Sequence, residues 1–246
     1  MRIGVIASGG GSNLQSIIDS CESGYIPDSQ IVLVLSNKRS AYALERAENH
    51  NIEARFLKPP DGISKYKKGM NIVDIMNDPL RRKYDQQIIN ELQKKDVDVI
   101  CLAGYLLFVT PKLIDEYPRA VINIHPAVLP SFKGLHGIKD AWDYGVKVVG
   151  CTTHFVDDKE DHGPIILQAQ TLVLPYEISE SLTKRNLKRE HLIYPETLRL
   201  YQKGSLKVNG RKVEIKWDEK HFNFHQQLLD LWRNDIDDYY NSRQQK

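Results

Sequence analysis

Residues 1–13 read Met1-Arg2-Ile3-Gly4-Val5-Ile6-Ala7 and then Ser8-Gly9-Gly10-Gly11-Ser12-Asn13. Leu14, Ile17, Ile18 and Cys21 follow at helical spacing. A buried strand, a glycine-rich turn and an amphipathic helix aim backbone N–H groups at a phosphate. A dinucleotide reading fits poorly. Leu14 stands where the third glycine belongs, and the second strand ends Ser36-Asn37-Lys38-Arg39 without an acid to hold a ribose hydroxyl. The Asn13 amide suits a phosphate or a sugar hydroxyl instead. The turn read alone is also compatible with tight packing and no ligand.

The alternation continues outward. Ile31–Leu35 reads as a strand, 41–49 as a helix and 53–57 as a short strand. A helix over 81–94 carries Tyr84, Ile88, Ile89 and Leu92 on one face; Val97–Leu102, a short helix from Pro111 and a strand reaching Asn123 follow. This predicts an α/β fold with a doubly wound, mostly parallel sheet and right-handed crossovers. Antiparallel additions are expected in the C-terminal part. There 147–156 and 165–174 are long β-like runs suited to antiparallel pairing. A helix over 181–203 is expected to break or kink at Pro195. Asn209-Gly210 between β-formers signals a hairpin, and the tail after Lys220 reads as a terminal helix. The stretch Lys58–Asp78, with four lysines, Pro59 and Pro60, has little periodicity and reads as a solvated surface insertion.

The chain has 246 residues with 41% hydrophobic content, enough for a sizeable core. Its 34 basic and 32 acidic residues give a net charge of +2, which argues against a dedicated nucleic-acid binder. Cys21, Cys101 and Cys151 are odd in number and widely spaced, as in a reducing compartment, so a cytoplasmic location is expected. No apolar run approaches a membrane span, and the first strand begins at residue 1, where a signal peptide would stand. The eight histidines show no metal-ligand spacing with the cysteines, so no metal is expected.

A second segment carries the chemistry. Asn123-Ile124-His125-Pro126 closes an apolar run and opens onto a proline-rich turn. Strand alternation points Asn123 and His125 the same way. An amide stabilises negative charge developing on oxygen, and an imidazole moves a proton near neutral pH. His136 and His154 are further candidates, each equally readable as a structural histidine. Asp161 lies in a charged loop, 157–164, between two apolar runs, within reach of a buried histidine. Ligands of doubly wound sheets bind at the carboxyl ends of strands where the strand order reverses. Ser8–Asn13, Gly104–Val109 and Asn123–Pro126 all lie at such ends and surround one crevice if their strands are neighbours.

These segments together resemble the folate-dependent formyltransferases. The resemblance rests on S-G-G-G-S-N-L-Q, L-A-G-Y, N-I-H-P-A-V-L-P-S-F-K-G-L-H and H-F-V-D-D-K-E-D-H-G-P-I-I-L-Q, in order over most of residues 1–208. The N-terminal motif is similar to that of the phosphoribosylglycinamide formyltransferases of purine synthesis. The resemblance implies a single formyltransferase domain over 1–246: a phosphoribosyl-binding half (1–110), a catalytic and folate-binding half (111–216) and an extension (217–246). It implies that Asn123, His125 and Asp161 are catalytic. Gly11, Ser12, Asn13 and Glu190 would bind the phosphoribosyl substrate. Leu106, Leu107, Phe108, Val109, Asp157, Asp158, Lys159, Glu160 and Asp161, with Arg81 near the tail, would bind 10-formyltetrahydrofolate as co-substrate. Direct amine attack, small-molecule partners, no metal, nucleic acid or membrane, and a monomer or homodimer are also implied. His162 stands where the family commonly has glycine, and Leu187 where a polar ribose contact can occur. A formyltetrahydrofolate hydrolase, a methionyl-tRNA formyltransferase, and a non-catalytic nucleotide-binding module or nicotinamide enzyme are the other readings. The segment after Leu206 is too short for the C-terminal barrel that the second of these carries.

Overall fold

The computed structural model describes residues 1–63, 72–175 and 177–244. β1 (Arg2–Ala7) sends Ile3, Val5 and Ala7 to one face of a sheet and Ile6 to the other. Both faces are apolar, so helices must cover both. In chain order there follow α1 (Ser12–Glu22), β2 (Gln30–Ser36), α2 (Tyr42–Asn49), β3 (Ala54–Phe56), α3 (Ile72–Asn77), α4 (Pro79–Gln93) and β4 (Val99–Leu102). Next come α5 (Pro111–Glu116), β5 (Val121–His125), α6 (Gly137–Tyr144), β6 (Val148–Phe155) and β7 (Ile165–Leu172). The chain closes with α7 (Ser179–Gln202), β8 (Leu206–Asn209), β9 (Lys212–Ile215) and α8 (Glu219–Gln244).

The strands form one sheet in the order β3-β2-β1-β4-β5-β6-β7-β9-β8. β1 to β5 pair in parallel, β6 runs antiparallel to β5 and β7, and β8 pairs antiparallel with β9. This is an α/β fold with a mostly parallel sheet. One core packs Leu14, Ile17, Ile18, Ile193 and Leu198 of α1 and α7 against the sheet; the other packs Tyr84, Ile88, Ile89 and Leu113 of α4 and α5. A Cβ at Gly4 would lie 2.7 Å from Leu92 Cδ2, so glycine there lets α4 pack close to β1. The strand order reverses between β1 and β4, and the carboxyl ends of β1, β4 and β5 open beside that point.

Three local expectations are corrected, and one helix stands where none was expected. Within Lys58–Asp78, residues 64–71 lie outside the described residues. Ile72–Asn77 is a helix that buries Ile75 and Met76, and Asp78 caps α4 by accepting from Leu80 N (2.8 Å). Six residues show little helical period, and Ile72–Asn77 lacks the N-terminal proline that marks α5. α6, eight residues long, is a helix where none was expected, and it buries Ile138 and Ala141. α7 runs without a break through Pro195. Its burial there holds the turn despite the missing N–H. The hairpin turn is Gly210-Arg211, one residue later than expected: Asn209 pairs with Lys212, and Gly210 takes φ +59°. Glycine at the first central position is the type II′ pattern.

Candidate active site

Between β1 and α1 the chain turns at Gly11, which adopts φ +68°. A Cβ there would also lie 2.8 Å from Ala43 Cβ, so the position requires glycine twice over. Ala43 N donates to Gly9 O (3.1 Å) and Arg46 Nε to Gly10 O (2.8 Å), which fixes the turn. Among the described residues no side chain caps α1. Its first turn lines a cavity of about 460 Å³ together with Gly9, Gly10, His136, Leu187 and Glu190. Helix N-terminal N–H groups at such a wall suit an anion. Asn13 Nδ2 donates to Glu190 Oε2 (2.8 Å) and Asn186 Nδ2 to Glu190 Oε1 (3.0 Å). Burial pushes the Glu190 carboxyl above the usual carboxylate range. Asn13 Oδ1 is buried without a partner among the described residues, leaving an acceptor for a hydroxyl or amine.

β5 and β6 build the centre. Asn123 and His125 share a face of β5, and the antiparallel register sets His154 of β6 directly opposite Asn123. The loop after Phe155 folds back and presents Asp161, whose Oδ2 lies 3.3 Å from His125 Nδ1 and accepts from Gly134 N (2.9 Å). His125 Nε2 donates to Phe132 O (2.9 Å). Both ring nitrogens therefore face acceptors, an arrangement that the imidazolium satisfies completely. His154 Nδ1 donates to Phe155 O (2.9 Å), and its Nε2 receives Asn123 Nδ2 (3.2 Å). That pattern requires the neutral ring, and burial holds the His154 pKa below its ordinary value. One N–H of Asn123 is thereby anchored and the other remains for an oxygen.

A second cavity of about 210 Å³ is lined by Tyr105–Val109, Asn123, His125, His154 and the 157–161 loop. It shares Gly104, Ile124, Pro126 and Leu135 with the first, so the two are halves of one cleft. Its wall is stitched from below. Leu106 N donates to Ser8 Oγ (2.9 Å), Ser8 N to Gly104 O (3.1 Å), Arg81 Nη1 to Phe108 O (3.1 Å) and Thr110 N to Asp85 Oδ2 (2.5 Å). Burial raises the Asp85 pKa to about 6.

Of the residues named from sequence, Gly11, Ser12, Asn13 and Glu190 line the first half, and Leu106, Leu107, Phe108, Val109, Asn123, His125, Asp157, Lys159, Glu160 and Asp161 the second. Two do not line the cleft. Arg81 is 2% exposed and spends a guanidinium N–H on the Phe108 carbonyl, so it supports the wall from behind. Asp158 is exposed on its loop and is not among the cavity-lining residues. Sequence reasoning missed Asp85, Asn186 and the Phe132 carbonyl, which hold the wall and the site side chains, and gave Ser8 no contact of its own. It also missed Met76, which lines the second cavity. It left His154 undecided. Only the β5–β6 register reveals His154, and no periodicity within one strand carries that information.

Residues 1–198 match the formyl transferase family model. The chain is 35% identical over 209 residues to phosphoribosylglycinamide formyltransferase of Escherichia coli (strain K12), covering 85% of this chain and 91% of that one. It is 38% identical over 217 residues to the trifunctional purine biosynthetic protein adenosine-3 of Chironomus tentans, where the match takes 88% of this chain but spans only 15% of the relative. The crystal structure of glycinamide ribonucleotide transformylase 1 from Symbiobacterium toebii superposes with a TM-score of 0.78 at 41% identity, covering 87% of this chain and 93% of that one. A family match over four-fifths of the chain, with an E. coli relative matched along nearly its full length, means that this chain belongs to the formyl transferase family.

Proposed function

We propose that this chain transfers the formyl group of 10-formyltetrahydrofolate to the amine of 5-phosphoribosylglycinamide in purine biosynthesis. The observation that carries the reading is the meeting of two unlike cavities at one trio. One half of the cleft offers a helix N-terminus and the Asn13–Glu190 pair, which suit a phosphate and a ribose hydroxyl. The other half offers apolar side chains and backbone from Tyr105 to Val109, which suit a flat folate ring. Asn123, His125 and Asp161 border the junction.

The amine nitrogen attacks the formyl carbon, and the carbonyl π electrons move to oxygen. The free N–H of Asn123 donates to that oxyanion, and the positive charge of the His125 imidazolium, whose N–H groups face Asp161 and Phe132 O, stabilises it electrostatically. Asp161 holds the imidazolium by charge and orientation. Collapse breaks the bond from the formyl carbon to the folate N10, and the proton lost by the amine reaches N10 through the His125–Asp161 pair. No covalent enzyme intermediate is needed. The test is turnover of 10-formyltetrahydrofolate with phosphoribosylglycinamide, and then with water alone as acceptor. Formylated ribonucleotide and tetrahydrofolate in equal amounts are expected. Equal folate turnover without the ribonucleotide, or no turnover at all, refutes the reading.

A further inference from the structure

The loop that carries Asp161 is tied down by a chain of side chains that the proposed mechanism does not use. Asp157 begins the loop, and His162 directly follows Asp161. His162 Nδ1 lies 2.7 Å from Asp157 Oδ2, and Arg211 Nη1 lies against the ring, 2.9 Å from His162 Nε2 and 3.2 Å from Nδ1. A carboxylate only accepts, so His162 Nδ1 carries a proton and donates to Asp157. The contacts run from Arg211 through the His162 ring to Asp157. Arg211 sits in the β8–β9 turn, remote in sequence, so the tie pins the loop to the sheet edge. Asp161 itself stands at φ +42°, a left-handed conformation that a side chain seldom adopts without support. The same Asp157 carboxylate accepts from Lys159 N through Oδ1 (3.1 Å) and lines the second half of the cleft.

We propose that His162 and Arg211 are positioning residues. They clamp the 157–163 loop so that Asp161 meets His125 and Asp157 faces the folate half of the cleft. The proposal rests on the proposed function for its kinetic consequence, and on loop geometry alone for its structural one. Neither side chain needs to touch substrate.

The test combines kinetics with hydrogen–deuterium exchange on the full chain. His162→Ala should lower kcat and raise KM for the formyl donor by about three- to tenfold, the worth of one partly exposed hydrogen bond to a charged group. KM for the phosphoribosyl substrate should stay unchanged. Arg211→Ala should act in the same direction but less, and should add nothing in the His162→Ala background. His162→Asn, whose Nδ2 can take the place of the Nδ1 donor, should restore most of the loss. Amides of 158–163 should exchange faster in both alanine variants. Unchanged exchange and kinetics, additive losses, or a matching rise in KM for both substrates would overturn the clamp. Absent turnover in the unaltered protein would refute the proposed function instead, and the exchange data would still judge the clamp.

Discussion

Replacing Asp161 by asparagine isolates the charge of the trio from its shape. Asparagine tolerates left-handed backbone almost as well as aspartate, so the φ of +42° at this position is retained. Its amide oxygen can still accept from Gly134 N, which the aspartate now holds at 2.9 Å. What disappears is a carboxylate 3.3 Å from His125 Nδ1. At an effective dielectric constant of about 20, unit charges at that separation attract by about 5 kcal/mol. The Asp161 side chain is 13% exposed, and His125 keeps its bond to Phe132 O, so water and the surviving contact offset part of this. A net transition-state loss of about 3 kcal/mol corresponds to a kcat lower by about a hundredfold. Because the interaction strengthens as charge develops, KM for both substrates should move little. The assay is steady-state release of tetrahydrofolate with each substrate varied in turn, on protein whose unfolding midpoint matches the parent. A kcat within threefold of the parent would show that Asp161 is a solvated loop residue and that the imidazolium argument is wrong.

Two further outcomes follow from positions outside the trio. Gly11→Ala places a methyl 2.8 Å from Ala43 Cβ on a backbone at φ +68°, costing roughly 1–2 kcal/mol for the left-handed conformation alone. KM for the phosphoribosyl substrate should rise about tenfold while KM for the formyl donor holds, and an unchanged pair of constants would remove the glycine turn from the phosphate site. Asp85 has a folded-state pKa raised by burial to about 6, above the ordinary aspartate value of 3.8. A carboxyl that holds its proton more tightly when folded stabilises fully below the unfolded pKa and loses that contribution as pH rises through about 6, by up to about 3 kcal/mol. Urea unfolding at pH 4.5 and 7 should therefore show a smaller decline with pH in Asp85→Asn than in the parent; identical pH slopes would mean that Asp85 is not perturbed.

The sequence by itself determined the βα alternation, because apolar period and punctuation are local. It determined that Asn123 and His125 share a face, because a strand's period is two whatever it pairs with. It placed glycine where α1 begins, and Gly11 proves to be needed for its φ and for its contact with Ala43. Motif likeness named Glu190, which no local pattern singled out, and joined Asp161 of the charged loop to Asn123 and His125. Only the tertiary structure decided how strands sit side by side. The reversal between β1 and β4 brings the glycine turn beside β5, and the antiparallel β5–β6 register sets His154 against Asn123. It also places the buried Arg81 beside the Phe108 carbonyl, to which it donates. Such facts depend on pairings between residues far apart in the chain. Register and long-range burial are set by the packing of whole elements, and hydrophobic period within one element carries no record of them.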